Sequence, residues 1–158
     1  MRNITIYTDG SHFKGGSASG RLGCGGVMIV DGKVVDKFSL EATAEYLLKE
    51  YGTNLVSNPT MEMLGALQAL RYFKKNFKKG DKIILKADYM GVRDWCTGKW
   101  KTKEPYIKLI KDDILKEIKD QKLDLTFEWV KGHQRGDSPD VIFNNMVDLL
   151  AKGITDEK

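Results

Sequence analysis

The chain has 158 residues, enough for one domain that buries roughly 70% of the surface its unfolded form would expose, so no disulfide or structural metal is needed for folding. Its 26 basic and 22 acidic residues give a net charge of +4, a mild excess that suits a polyanionic partner without establishing one. Cys24 and Cys96 lack the spacing of a zinc site or a disulfide framework. Because the chain shows no signal peptide and no apolar run of membrane length, we expect a cytoplasmic protein without a membrane partner.

The first forty residues show the alternating apolar pattern of β-strands. Asn3–Thr8 alternates around two isoleucines, and Gly26–Val30 and Val34–Leu40 flank the turn dipeptide Asp31-Gly32. A two-residue Asp-Gly connection between apolar runs is typical of a hairpin. The pattern therefore predicts three strands, of which the last two form a hairpin.

The rest of the chain alternates between helical and extended spacing. The predicted elements are a long helix at Thr60–Phe77, a strand at Ile83–Ala87, helices at Met90–Trp95 and Pro105–Lys119, a strand at Leu123–Val130 and a helix at Val141–Lys152. The order βββαβααβα predicts an α/β fold with a five-stranded mixed sheet covered by helices, in which strands joined by helical crossovers run parallel. No repeat or linker divides the chain, so residues 1–158 are expected to form a single domain.

Four acidic residues are placed where they could meet. Asp9 ends the first predicted strand and Asp88 ends the fourth, so parallel neighbouring strands would bring both carboxylates to the edge where open α/β sheets bind ligands. Glu62 lies in the first turn of the long helix, and the small residue Gly65 on the same line suggests that this face packs on the sheet. Asp148 lies on the last helix among apolar residues, so four carboxylates could converge.

Each of these residues also has an ordinary interpretation on its own. Asp9 before a glycine is typical of a turn, Glu62 of a helix N-terminal acid, and Asp88 of a helix N-cap. Asp148 alone fits an exposed helical acid, and His133 alone fits a loop histidine without function. Only the combination of the five residues indicates a site.

The segment WVKGHQRGDSPD, residues 129–140, allows two interpretations. From Arg135 onward, RGDSP resembles a cell-adhesion tripeptide, which would require an extracellular protein and has low specificity as a motif. From Trp129 onward, the segment is a strand followed by a loop that carries His133 into an active site.

Several motifs together resemble type 1 ribonuclease H. They are Tyr7-Thr8-Asp9-Gly10-Ser11, Asn58-Pro59-Thr60-Met61-Glu62, Ala87-Asp88, Trp129-Val130-Lys131-Gly132-His133, and Asn144 with Asp148 and Leu150-Ala151. The match covers almost the whole chain in the right order, and it makes RGDSP part of the loop that carries His133. The resemblance implies a ribonuclease H-like fold and an endonuclease that cleaves the RNA strand of RNA/DNA hybrids, leaving 3′-hydroxyl and 5′-phosphate ends.

The resemblance also implies a two-metal-ion mechanism. Asp9, Glu62, Asp88 and Asp148 would hold two Mg²⁺ ions, with Mn²⁺ as a possible substitute, because clustered carboxylates need hard cations to neutralise them. Asp9 would serve both ions. His133, whose intrinsic pKa is near neutrality, would assist proton transfer or product release.

Substrate contacts are expected on two sides of this site. The residues implied are Gly10, Ser11 and Asn58 beside the acids, and Lys99, Trp100 and Lys101 as a second contact with the DNA strand. The glycine-rich loop from Gly10 to Gly26 would let backbone groups approach the minor groove. The lysines could equally be plain solvated surface. The expected partner is an RNA/DNA hybrid, and the expected state is a monomer.

Three features depart from the family pattern. Tyr89-Met90-Gly91 follows Asp88 where the family commonly has serine and, two residues later, tyrosine, which puts the contacts around that carboxylate in doubt. Residues 41–57 form an apparent insertion with an optional short helix at Ala44–Tyr51. No separate hybrid-binding domain is expected before the first strand.

Two other functions remain open from the sequence. The same acidic cluster serves DNA-directed nucleases and resolvases of the wider superfamily, although the Lys131-Gly132-His133 motif argues against them. A catalytically silent hybrid-binding module would keep the fold but lose the acids, and all four acids are present.

Overall fold

The computed structural model describes residues 2–13, 21–52 and 57–154. Five strands and five α-helices follow one another along the chain, with a short 3₁₀ helix at Phe73–Asn76. They are β1 (Asn3–Phe13), β2 (Arg21–Val30), β3 (Lys33–Ala42), α1 (Ala44–Tyr51), α2 (Asn58–Tyr72), β4 (Lys82–Ala87), α3 (Met90–Cys96), α4 (Pro105–Asp120), β5 (Asp124–Trp129) and α5 (Pro139–Ala151). Within the described ranges, no helix has both the length and the apolar character to cross a bilayer.

The strands form one mixed sheet in the order β3-β2-β1-β4-β5. β1 pairs antiparallel with β2 and β2 with β3, whereas β1 pairs parallel with β4 and β4 with β5. This confirms the predicted sheet and its parallel crossovers. The last pair between β1 and β4 joins Thr8 to Ala87, so the residues that follow, Asp9 and Asp88, lie side by side at the carboxyl end of the parallel strands.

Several features differ from the predicted elements. β2 begins at Arg21 instead of Gly26, and the long helix ends at Tyr72 and is followed by the 3₁₀ helix instead of continuing to Phe77. Asp9 does not end β1, because the strand continues to Phe13 by pairing with the longer β2, where Asp9 faces Gly25. The optional helix at Ala44–Tyr51 is present as α1, capped by Thr43 and ended by Gly52 in a left-handed conformation. The element order is therefore βββααβααβα. Part of the predicted glycine-rich loop, residues 14–20, and part of the predicted insertion, residues 53–56, lie outside the described residues.

Two apolar layers cover opposite faces of the sheet. Successive strand residues point to opposite faces, so Ile4 and Ile6 pack against α2 while Tyr7 packs against Val147 on α5. The larger core cluster includes residues of α1, α2, α3 and α4, and α2 is buried on nearly every side. Helix α5 alone forms the smaller cluster with β1 and β2. The two helices that carry Glu62 and Asp148 thus approach β1 from opposite faces.

Candidate active site

The start of α2 is positioned by its cap and by two glycines. The Ser57 hydroxyl accepts a hydrogen bond from the Thr60 backbone amide at 3.4 Å, and a proline occupies the first turn. A Cβ atom on Gly10 would overlap the Met61 carbonyl, and a Cβ atom on Gly65 would lie 2.8 Å from the Asp9 carbonyl oxygen. Because neither glycine has a side chain, α2 lies directly on β1.

This close approach brings three carboxylates together. Asp9 is 3% exposed and Glu62 is 8% exposed, and one oxygen from each of Asp9, Glu62 and Asp88 lies within 4.8 Å of the others. The Gly10 amide donates to both Asp9 Oδ1 and Glu62 Oε1, each at 3.0 Å. The predicted convergence of these three acids is therefore present in the fold.

The electrostatics of the cluster suit a bound cation. Burial, followed by the negative charge of Asp88, raises the pKa of Asp9 to about 8. Burial and then the charge of Asp9 also raise the pKa of Glu62 well above its ordinary value. Both acids therefore bind protons more readily than in water when no cation is present. Buried, mutually repelling oxygen donors are a fitting ligand set for a hard divalent cation, which would replace those protons.

Asp148 lines the same cleft from the other face of the sheet, outside the group of three. Its charge contributes to the raised pKa of Asp9. Lys152 Nζ donates to Asp148 Oδ2 at 3.0 Å, one helical turn away. A Cβ atom on Gly25 would lie 2.7 Å from the Ala151 backbone nitrogen, so α5 also packs on bare backbone.

The beginning of α5 is tied to the central strands. The Tyr7 hydroxyl on β1 donates a hydrogen bond to the Asp140 carboxylate, and Lys86 Nζ on β4 donates to the same oxygen at 2.9 Å. Although burial acts to raise it, these two hydrogen bonds hold the pKa of Asp140 below its ordinary value. Asp140 therefore fixes the N-terminal end of the helix that carries Asp148.

The loop after β5 places His133 over the cleft. The Val130 amide donates to the Ala87 carbonyl at 3.0 Å, which continues the alignment of β5 with β4. A Cβ atom on Gly132 would lie 2.8 Å from Asp88 Oδ2, and His133 follows in a left-handed conformation with φ 53°. The histidine thus lines the cleft that holds the carboxylates.

The cleft has a volume of about 470 Å³ and includes some of the predicted substrate residues. Gly10, Ser11 and Asn58 line it, and Asn58 Oδ1 accepts a hydrogen bond from the His12 amide at 3.1 Å. The lining does not include Lys99, Trp100 or Lys101, all of which are exposed. Trp100 lies next to the cleft lining, because its ring centroid is 6.3 Å from the ring centroid of Tyr89, which lines the cleft.

Four cleft residues were not predicted as site residues: His12, Tyr89, Gly132 and Lys152. A signal existed for three of them, and Gly132 stands in the Lys131-Gly132-His133 motif that carries His133. Lys152 is four residues from Asp148 on a helix, the spacing that places two side chains on one face. Tyr89 follows Asp88 directly, and its position was noted only as a departure from the family pattern. For His12 no sequence signal was available, because β1 was expected to end before it.

Comparisons with known proteins agree with this arrangement. The family model described as RNase H matches residues 1–155. RNase H1 from the halophilic archaeon Halobacterium salinarum NRC-1 is similar with a TM-score of 0.72 and 18% identity, over 96% of each chain. LC11-RNase H1, isolated from compost by a metagenomic approach, has a TM-score of 0.74 and 20% identity, over 98% of this chain and 96% of that one.

LC11-RNase H1 was also solved in complex with an RNA/DNA hybrid, and that structure has a TM-score of 0.66 and 18% identity over 92% of this chain and 96% of that one. A search of curated proteins found no match. The structural likenesses confirm the expected ribonuclease H-like α/β fold, and the family match confirms the resemblance drawn from the motifs.

Proposed function

The chain belongs to the RNase H family, and from this membership we propose that it is an endonuclease that hydrolyses the RNA strand of RNA/DNA hybrids. The observation that carries the proposal is the convergence of Asp9, Glu62 and Asp88, with carboxylate oxygens within 4.8 Å of one another. The same cleft is lined by Asp148 and His133. That a similar protein, LC11-RNase H1, was solved with an RNA/DNA hybrid supports the substrate class.

We propose that the four acids hold two Mg²⁺ ions, with Mn²⁺ as a substitute. Asp9 interacts electrostatically with both Asp88 and Asp148, so it is the carboxylate suited to serve both ions, with Glu62 completing the group on the α2 side. When bound, divalent cations supply Lewis-acid activation of water and neutralise charge on the phosphate. Asp9 and Glu62, whose pKa values burial raises in the metal-free state, would release protons when a cation binds.

The other cleft residues bind the substrate and handle protons. Gly10 and Ser11 leave room for a nucleic acid backbone, and Asn58 extends a polar group toward the sugars, whose 2′-hydroxyls distinguish RNA from DNA. In the hydrolysis, a water oxygen bonds to phosphorus while the bond from phosphorus to the 3′-oxygen breaks. His133 assists transfer of the proton to that oxygen, or product release, and the products are a 3′-hydroxyl and a 5′-phosphate.

A second contact with the DNA strand is proposed at Lys99, Trp100 and Lys101. These residues are exposed beyond Tyr89, which lines the cleft and contacts the rings of Trp95 and Trp100. The aromatic contacts extend the wall of the cleft toward the two lysines. A strand that leaves the cleft past Tyr89 would therefore meet positive charge.

The chain is proposed to act as one catalytic unit and as a monomer, because all four acids and His133 come from a single chain. Its two cysteines are both buried thiols. Burial raises the pKa of Cys96 to about 12, so its thiol resists oxidation. These properties suit a reducing compartment such as the cytoplasm.

The test is cleavage of one end-labelled RNA in four contexts: paired with DNA, single-stranded, paired with RNA, and replaced by the equivalent DNA duplex. Each is incubated with Mg²⁺, Mn²⁺ or chelator. We expect internal cuts in the hybrid alone, lost with chelator and with Asp88→Asn. Asp112→Asn, a change of the same chemistry at an exposed position on α4, is the matched control and should leave cleavage unchanged.

Three outcomes would contradict the proposal. Cleavage of the DNA duplex would indicate a DNA-directed nuclease or resolvase instead. Tight hybrid binding without cleavage would indicate a silent binding module. Near wild-type turnover by Asp88→Asn, with its fold verified by circular dichroism, would remove the carboxylate cluster from the reaction.

A further inference from the structure

A second concave surface lies at the end of the sheet opposite to the carboxylates. It has a volume of about 710 Å³ and is lined by residues that follow α2, precede β4 and precede β5. We call it the lysine groove and define it by Lys74, Lys78, Lys79, Lys82 and Lys122. Because β4 runs six residues from Lys82 to Ala87, the groove and the acids are roughly 20 Å apart along the strand.

The lining of the groove is positively charged. Its five lysines stand against two acidic residues, which gives the lining a net charge of +3. Asp81 is paired with Arg2 at 2.8 Å, and Lys74 interacts electrostatically with Glu117 and Asp120. The groove therefore presents a local excess of positive charge to a polyanion.

The lysines themselves are available for a ligand. All five are exposed, and within the described ranges none of them forms a salt bridge. The one acid buried in the groove, Asp81, already accepts hydrogen bonds from Arg2 and from the Lys78 amide. The hydrogen bond from Arg2 is the main reason that the pKa of Asp81 lies below its ordinary value. The negative charge of this carboxylate is therefore compensated locally by Arg2.

The side chains of the candidate active site contribute little of this attraction themselves. Its lining has four carboxylates against Lys152, and Lys152 is itself paired with Asp148. Apart from the cations proposed to bind there, positive charge that attracts a nucleic acid must therefore come from elsewhere on the protein. The lysine groove is one such concentration of positive charge outside the cleft.

We propose that the lysine groove binds the phosphate backbone of a nucleic acid segment that continues beyond the base pairs held in the cleft. This inference rests on the proposed action on nucleic acid. Lysine ammonium groups act as point charges that follow a backbone without reading its sequence, and here they come from two chain segments, 74–82 and 121–124, that line one groove. Since groove and cleft lie at opposite ends of the sheet, the bound segment must be flexible or long enough to reach both.

The phosphates could belong to a single-stranded flank or to a longer duplex, and three substrates separate these sources. The first is a blunt RNA/DNA hybrid of ~12 base pairs, about one helical turn. The second is the same hybrid with a single-stranded DNA tail of ~20 nucleotides, which at about 3.4 Å each is long enough to pass from the cleft to the groove. The third is the hybrid extended as duplex by the same length.

The variant tested is Lys79→Glu with Lys122→Glu, and the control is Lys49→Glu with Lys108→Glu. Both pairs are exposed and change the net charge equally, but the control pair lies on α1 and α4, outside the groove. For the wild type we expect the tail or the extension to lower Kd at least about fivefold at low salt, through attachment at two points. The groove variant should lose this gain in affinity. On the tailed substrate, the slope of the logarithm of its binding constant against the logarithm of salt concentration should fall in magnitude by about 1.4, the value for two single-strand phosphate contacts.

The outcomes separate this inference from the proposed function. If all proteins cleave the blunt hybrid but neither the tail nor the extension improves binding, the groove inference is wrong while the function stands. The groove inference would also be overturned if the control variant lost the gain in affinity to the same extent. Binding of polyglutamate, but not of the DNA tail, at the groove would likewise overturn it. If the blunt hybrid is not cleaved, the proposed function fails, and binding of the isolated DNA tail still tests the groove.

Discussion

In the absence of metal, Asp9→Asn should make the protein more stable at neutral pH. Asp9 is buried against two other acids, and its pKa is raised to about 8 by burial and then by the charge of Asp88. Asparagine keeps the oxygen that accepts the Gly10 amide hydrogen bond and removes the titrating group. The substitution therefore removes the free-energy cost of taking up a proton on folding, with little change in shape.

The magnitude follows from the difference between the folded and unfolded pKa. An acid whose pKa rises on folding contributes stability that is fully present below its unfolded value of 3.8 and is lost as pH rises toward about 8. At about 1.4 kcal/mol per pH unit, the loss at pH 7 has a ceiling of about 4 kcal/mol. Sharing of protons among the carboxylates reduces this, so we expect the free energy of unfolding of Asp9→Asn to exceed that of wild type by about 1–3 kcal/mol.

The assay is thermal unfolding followed by circular dichroism in chelator at pH 5 and pH 8. For a chain of this size, 1–3 kcal/mol corresponds to a Tm increase of roughly 3–10 °C at neutral or higher pH, and the increase should shrink at pH 5. Saturating Mg²⁺ should reverse the order, because wild type gains binding free energy that the variant loses. Asp112→Asn is the control and should stay within about 0.5 kcal/mol of wild type. A variant that is less stable than wild type in chelator at pH 8, or equally stabilised at both pH values, would refute the reasoning.

Three further outcomes can be measured. Gly65→Ala places a Cβ atom 2.8 Å from the Asp9 carbonyl oxygen, so α2 must shift away from β1. We expect the free energy of unfolding to fall by about 1–3 kcal/mol and Mn²⁺ binding, measured by calorimetry, to weaken. An unchanged Mn²⁺ affinity would contradict the role of this glycine. His133→Ala should slow hybrid cleavage by about 10² to 10⁴ while leaving Mn²⁺ affinity unchanged, and a coupled loss of metal binding would assign it a different role. Lys99→Glu with Lys101→Glu should raise KM several-fold at constant kcat, and an unchanged KM would exclude the proposed DNA-strand contact.

Topological reasoning predicted the meeting of Asp9 and Asp88 correctly even though one strand boundary was wrong. The alignment depends on parallel pairing up to Thr8 and Ala87, and helical crossovers make parallel pairing predictable from sequence. The end of β1 was misplaced because Asp-Gly favours a turn locally. In the fold, β2 supplies pairing partners from Gly25 to Arg21, and this tertiary pairing overrides the local preference.

Surface placement was harder to predict. Trp100 is expected to contact the DNA strand, and its ring packs against Tyr89 and Trp95 outside the cleft lining. Whether an exposed segment reaches a cleft depends on the angle at which α3 leaves the sheet, which no local pattern encodes. Lys152 was not predicted as a site residue, although its helical spacing from Asp148 is sufficient to place it beside that acid.

The chemistry of the cleft depends on missing side chains as much as on the acids. Gly10, Gly65 and Gly132 each let backbone or a carboxylate come closer than a Cβ atom allows. Burial is the main cause of the raised pKa of Asp9 and of Glu62, and Coulomb repulsion between the neighbouring acids adds to it, which favours cation binding. A chain with the same four acids but alanine at these glycines would hold its carboxylates farther apart and bind a divalent cation less tightly. Acids and glycines therefore form one functional unit, and neither set alone specifies the site.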